Sequence, residues 1–193
     1  MMAEVGQFAL ILAFLLALVQ AGAPLWGAWR GDRVLMALGR AAALLQAGFI
    51  VTAFVALAAS YVACDFSVAL VAQHANSQQP LAYRIAATWG SHEGSMLLWV
   101  LILAIYGAAV ARFGGTLRES LQARVLGVQG LIGAAFLGFM LFTSNPFLRL
   151  YPAPPEGTEL IRCCRTPASS RTRRCSTWAM SASRWPSPSP WRP

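Results

Sequence analysis

Of the 193 residues, 57% are hydrophobic and 11% charged, against about 25% charged in an ordinary soluble domain. The formal charge of +8 is unevenly placed: residues 1–159 hold eight arginines against seven acids, and seven more arginines follow residue 160. The composition excludes a charge-rich soluble core, and the local origin of the basic excess excludes reading it as a nucleic-acid surface.

Four uncharged stretches organise the chain. Glu4 to Arg30 encloses 25 uncharged residues, Arg40 to Asp65 encloses 24, Glu93 to Arg112 encloses 18 and Arg124 to Arg149 encloses 24. A helix needs about 20 apolar residues to cross a hydrocarbon core of about 30 Å. The predicted fold is therefore all-α and integral to the membrane, with transmembrane helices at about 7–26, 41–62, 95–112 and 124–143. The stretches lack the strict alternation of a lipid-facing barrel strand, and lipid admits only helices or closed barrels. In the first stretch, Ala21-Gly22-Ala23 looks like a signal-peptide cleavage site. A signal peptide needs a positive flank before its apolar run, and only Glu4 stands there, so a retained helix is expected.

Arginine placement gives an orientation. Arg30, Arg33 and Arg40 follow the first helix, and Arg112, Arg118 and Arg124 lie between the third and fourth. The connection between helices two and three holds only Arg84, and the stretch after helix four only Arg149. Short cytoplasmic loops collect arginine, so the N-terminus is expected outside, in the periplasm of a bacterium. The internal polar residues Gln20, Gln46, Thr52 and Gln129 are expected to hydrogen-bond between helices. No charge lies deep in a span, which weakens an ion-pump reading.

The long outer connection, about 63–94, carries the candidate site: Trp89-Gly90-Ser91-His92-Glu93-Gly94-Ser95, where the third helix enters the membrane. Ser91 is a candidate N-cap, and Gly90 and Gly94 would permit close backbone approach. Three readings stay open. His92 could ligate haem iron, with a carboxylate orienting its other nitrogen. It could relay protons. Or the run could be an interface anchor, with Trp89 and Trp99 at the membrane boundary above a polar helix start. His74, in Gln73-His74-Ala75-Asn76-Ser77, reads as a solvated loop histidine. Cys64 stands alone, and Cys163, Cys164 and Cys175 lie among arginines without a metal-ligand spacing, so no metal site is expected.

Several motifs together resemble the N-terminal part of the CcmF and NrfE haem lyase subunits, in the CcmF/CycK/CcsA family. They are Pro24-Leu25-Trp26-Gly27 with Arg30-Gly31-Asp32, Asp65-Phe66-Ser67-Val68, Tyr83 to Thr88, Trp89 to Ser95 leading into Met96-Leu97-Leu98-Trp99-Val100-Leu101, Ala123-Arg124-Val125-Leu126, and Leu141 to Phe147. In order they cover residues 1–160, with a cytochrome c assembly region starting near Trp89. The resemblance implies cytochrome c-type biogenesis: haem is taken from a carrier protein and attached to apocytochrome c, beside other maturation subunits, at the bacterial inner membrane. It implies a longer protein whose tryptophan-rich segment and haem-binding histidines come later. Neither His74 nor His92 matches one of those histidines, so the role of the 89–95 run stays open. No haem is expected on this chain alone, and whether it is an enzyme stays open. The rival reading is a small polytopic subunit or transporter component acting through helix packing and lipid, without haem chemistry.

The resemblance stops after Leu160. There the family continues roughly NPLLQDPGLI, then an HPP motif; this chain reads Ile161-Arg162-Cys163-Cys164-Arg165-Thr166-Pro167-Ala168-Ser169-Ser170. The codons AAT CCG CTG CTG CAG GAC CCC GGC CTC ATC, read one base later, encode that second series. The same shift fits Thr172 through Trp185 and splits the HPP histidine codon between Arg171 and Thr172. Residues 161–193 are thus expected to be an out-of-frame, disordered tail that buries no core and is not the family's native end.

Overall fold

The structure is a computed structural model that describes residues 2–77, 79–116 and 118–151. The predicted tail lies outside the described residues. Among the described residues six α-helices follow in order: α1 (Met2–Arg30), α2 (Arg33–Val62), α3 (Ala69–His74), α4 (Leu81–Gly90), α5 (His92–Phe113) and α6 (Glu119–Thr143), with a 3-10 turn at Gly114–Thr116. Four of them, α1, α2, α5 and α6, are long and apolar enough to cross a membrane. The chain is a multi-pass, all-α membrane protein.

Each long helix contains its predicted span and runs past it. At 1.5 Å per residue, α1 is about 44 Å long, more than the hydrocarbon requires. Hydropathy marks the part in hydrocarbon, whereas the hydrogen-bonded helix continues among polar ends such as Glu4 and Arg30.

The four spans form an up-and-down bundle: α1 packs on α2 and α6, α5 packs on α2 and α6, and α2 meets α6 across the middle. Its inner surfaces combine many small residues with large ones such as Leu10, Ile50, Leu57 and Leu137. Ala13, Ala17 and Ala53 are fully buried, whereas Phe8, Leu15, Val55, Ile105, Leu131 and Phe142 point outward. This outward apolar face inverts that of a soluble bundle. Lipid tails give no hydrophobic drive between helices, so close backbone approach and interhelical hydrogen bonds hold them. At Gly130 a Cβ would sit 2.8 Å from Ala21 N, so α6 lies directly on the α1 backbone there.

The turn between α1 and α2 explains the Arg30-Gly31-Asp32 motif. Gly31 has φ +73°, which favours glycine. Asp32 N donates to Gly27 O at 3.0 Å, and the Asp32 carboxylate accepts from Val34 N at 2.9 Å as the N-cap of α2.

The two ends of the bundle differ in charge. Arg33 and Glu119 approach to 4.0 Å, placing the α1–α2 and α5–α6 turns together. Arg30, Arg40, Arg112, Arg118 and Arg124 belong to that end. The opposite end holds Arg84 and Arg149, the latter paired with Glu4 at 3.4 Å.

Candidate functional site

The outer connection is folded, and its two short helices were not expected. After α2, Cys64 adopts φ +52° and Asp65 N donates back to Ser60 O at 3.0 Å. The Asp65 carboxylate then accepts from Ser67 N (3.2 Å) and Ser67 Oγ (2.6 Å), turning the chain. Val68 makes an antiparallel bridge with Arg149: Ala69 N donates to Leu148 O and Leu150 N to Ser67 O, both at 2.8 Å. Two family-like motifs, Asp65–Val68 and Leu141–Phe147, are thereby joined. Phe147 is buried, its ring filling the space a side chain on Gly6 would need.

α3 buries Ala69, Leu70, Val71 and Ala72 and ends at His74. The reading of His74 as a solvated loop residue is corrected. It closes a helix and is half-buried, with Nδ1 donating to Leu70 O at 3.1 Å.

α4 packs on α2 and α5 and is tied down by Arg84. Its Nε donates to Gln79 O (3.0 Å), its Nη1 to Val62 O (3.5 Å) and its Nη2 to Ser77 O. The guanidinium thus joins the C-terminal end of α2, where a cation is favoured, to the turn before α4. In the sequence Arg84 counted toward orientation and as part of the Tyr83–Thr88 motif, with no structural role assigned. Its sequence signal was its isolation: an arginine alone in a long outer connection needs a local partner.

The Trp89–Ser95 run bends the chain between α4 and α5. Ser91 is the N-cap, with φ −91° and ψ 162°, and its Oγ accepts from Gly94 N at 3.1 Å. It is almost fully buried, beside the Tyr61 hydroxyl, which also donates to Leu70 O at 3.4 Å. Gly94 presses onto the Thr88 carbonyl so closely that any Cβ would collide with it. Gly90 does not behave as expected: a Cβ there would meet open space, because the residue ends α4 away from neighbouring backbone. Ser95 Oγ donates to His92 O at 2.8 Å.

The run is two-sided. Thr88, Ser91 and Gly94 face inward, whereas Trp89, Gly90 and His92 are exposed, and Glu93 and Ser95 are half-buried. His92 and Glu93 are consecutive on a helix and do not face each other. Glu93 lies within electrostatic range of Tyr61, and the idea that it orients His92 through a shared hydrogen bond finds no support in the geometry. Seven residues on, Trp99 is 67% exposed, so His92 and Trp99 share an outward strip of α5. His74 is thus engaged by its own helix, and His92 stands on the open rim. Among the described residues no group of three His, Cys, Asp or Glu could hold a metal ion.

The internal polar residues divide. Gln20 Nε2 donates to Leu126 O on α6 at 3.0 Å, and Gln129 Nε2 to Leu103 O on α5, as interhelical bonds. Thr52 differs from expectation: its hydroxyl donates to Gly48 O of its own helix at 2.9 Å, the usual retreat of a threonine that faces lipid. Gln122, not singled out in the sequence, donates to Val110 O (2.8 Å) and caps the end of α5.

No protein-family model matches the chain. It is 56% identical over 160 residues to the cytochrome c-type biogenesis protein ccl1 of Rhodobacter capsulatus, covering 83% of this chain and 24% of that protein. The cytochrome c-type biogenesis protein CycK of Bradyrhizobium diazoefficiens is 52% identical over 160 residues, with the same shares. A solved cytochrome c haem lyase CcmF superposes with a TM-score of 0.70 at 28% identity, over 76% of this chain and 25% of that one. The chain is thus a homologue of one stretch of the CcmF/CycK proteins of cytochrome c-type biogenesis. It spans about a quarter of the length of these CcmF/CycK relatives. The helical membrane fold expected from the resemblance is thus found in both sequence and shape.

Proposed function

We propose that residues 1–160 form the N-terminal transmembrane module of a CcmF-type haem lyase subunit, working in haem delivery and ligation to apocytochrome c. The observation that carries this reading is the 56% identity to a cytochrome c-type biogenesis protein, over the stretch that folds as the four-helix bundle. In this reading the module works within the longer protein, beside a haem carrier, apocytochrome c and other maturation subunits, in the bacterial inner membrane. The arginine-rich end is cytoplasmic and the α3–α4 cap periplasmic, because arginine collects on the cytoplasmic side. The outward strip of His92, Trp89 and Trp99 is the face offered to periplasmic partners, and the buried Ser91 and Gly94 hold it in place.

The test is a chimera. Residues 1–160 replace the matching region of a full-length CcmF, and holocytochrome c is measured by haem staining. Retained maturation is expected; a folded, membrane-inserted chimera that matures no cytochrome overturns the proposal. In the same chimera His92→Ala separates the readings of that residue, since wild-type holocytochrome levels reduce it to part of a helix start. A reporter that folds only in the oxidising compartment should be active when inserted at Ser77 and inactive at Gly115; the reverse pattern overturns the orientation.

We further infer that residues 161–193 are read out of frame and that the purified chain carries no haem. The unbroken codon match from Ile161 to Ser170 supports the first point, and accurate resequencing of the genomic DNA tests it. One additional base restoring Asn-Pro-Leu-Leu after Leu160 means that the gene encodes the whole subunit. A confirmed deletion means that its product is a four-helix remnant.

A further inference from the structure

Three glutamines from three helices, Gln20, Gln46 and Gln129, line one cavity enclosed by α1, α2, α5 and α6. Counted from the arginine-rich helix ends, they lie about 15–20 Å along their axes, within the hydrocarbon layer. We propose that this cavity is a binding site for a single structural water molecule that joins the three amides.

Four observations converge. First, Gln20 is 2% exposed, and its Oε1 has no hydrogen-bond partner in the protein. A buried acceptor left in that condition is costly, more so where bulk water is remote. Second, turning the Gln20 amide over does not cure this. Its Nε2 is spent on Leu126 O at 3.0 Å, and a flip would set two acceptors against each other. Third, the space open to a water centre is about 10 Å³, about what one water needs. A buried water also requires two to four polar partners, and the three amides supply them. Fourth, small residues make the room. A Cβ on Gly133 would sit 3.1 Å from Gln46 Nε2, and one on Gly107 would sit 2.6 Å from Gln129 Nε2. In this arrangement the water donates to Gln20 Oε1 and exchanges its remaining hydrogen bonds with the Gln46 and Gln129 amides. The polar groups of α1, α2 and α6, with α5 held through Gln129, then close on one point.

X-ray radiolytic labelling of the full chain in lipid nanodiscs, read by mass spectrometry, tests this. Hydroxyl radicals formed from a bound water oxidise the side chains beside it. Val100 lines the cavity and is 1% exposed, whereas Leu10 and Leu137 are as deeply buried elsewhere and carry a side chain no less apolar. We expect Val100 to be oxidised at least several-fold faster than Leu10 and Leu137. We expect Gln46→Leu, which replaces one amide partner of the water by an apolar group, to bring it down to their level. Labelling of Val100 at the Leu137 rate in the wild type overturns the proposal, whatever the variant does. So does an unchanged Val100 rate in a Gln46→Leu protein whose remaining labelling pattern is intact. Should that variant fail to fold, mixing the wild type with H₂¹⁸O just before exposure decides. Retention of ¹⁶O in the Val100 product, while exposed Trp29 takes up ¹⁸O, supports a trapped water, and equal uptake at both overturns it.

Discussion

The bundle and its outer cap are held in opposite ways. Inside the membrane, α1, α2, α5 and α6 meet through faces where alanines and glycines alternate with buried leucines, and glutamines reach across to backbone carbonyls. In the cap, α3 and α4 are too short to sustain themselves and are fixed by point attachments: the Asp65 turn, the Val68–Arg149 bridge, the Arg84 guanidinium and the Ser91 cap. A surface distributed over many small contacts loses little when one is removed. A set of point attachments loses a whole segment. Damage of the same chemical size should therefore cost more in the cap than on the outside of the bundle.

The strongest way to break this comparison is Gly94→Val. Any Cβ there strikes the Thr88 carbonyl, so α4 and α5 must separate. We expect a loss of about 3 kcal/mol or more in detergent unfolding, at the top of the range for overpacking. A near-neutral effect would mean that the α4–α5 corner yields freely. Next is Arg84→Ala, which leaves the Val62, Ser77 and Gln79 carbonyls without their donor. The expected cost is about 2 kcal/mol. Hydrogen exchange should quicken across the outer connection, with α1 and α6 unchanged. Arg84→Lys should recover little of it, because an ammonium lacks the planar fork. Ser91→Ala removes one cap bond and should lower stability by about 1 kcal/mol. The smallest effect belongs to the bundle exterior. Thr52→Val deletes a hydroxyl bonded only within its own helix and should shift stability by less than about 0.5 kcal/mol. If Thr52→Val costs more than Ser91→Ala, the contrast between the two regions fails.

The same contrast decides what the sequence could reveal. The four spans were legible because hydrocarbon thickness imposes a long uncharged run, whatever the packing. Ser91 was legible because a serine before a helix has one common use. Gly94 was half-legible: small size suggested close approach, but the same logic misled at Gly90, since composition does not say which glycine has a neighbour. α3 and α4 were not legible. They span Ala69–His74 and Leu81–Gly90, too short for a periodic signal, and exist because the bundle rim supports them. Arg84 was hidden because its partners are backbone carbonyls, which every sequence contains. His92 gave a motif without a geometry, and its outward placement appears only once α5 is built.

The bridge between Val68 and Arg149 closes a circuit of roughly 80 residues. A chain emerging from the ribosome offers residue 68 long before residue 149, so the pairing strand at Ser67–Ala69 waits while two further helices are made and inserted. The cap is thus a late event in biogenesis, and its completion signals that α6 has arrived in the correct orientation. A truncation before Phe147 would leave four inserted helices and an unlatched cap, exposed to whatever proteases share its compartment.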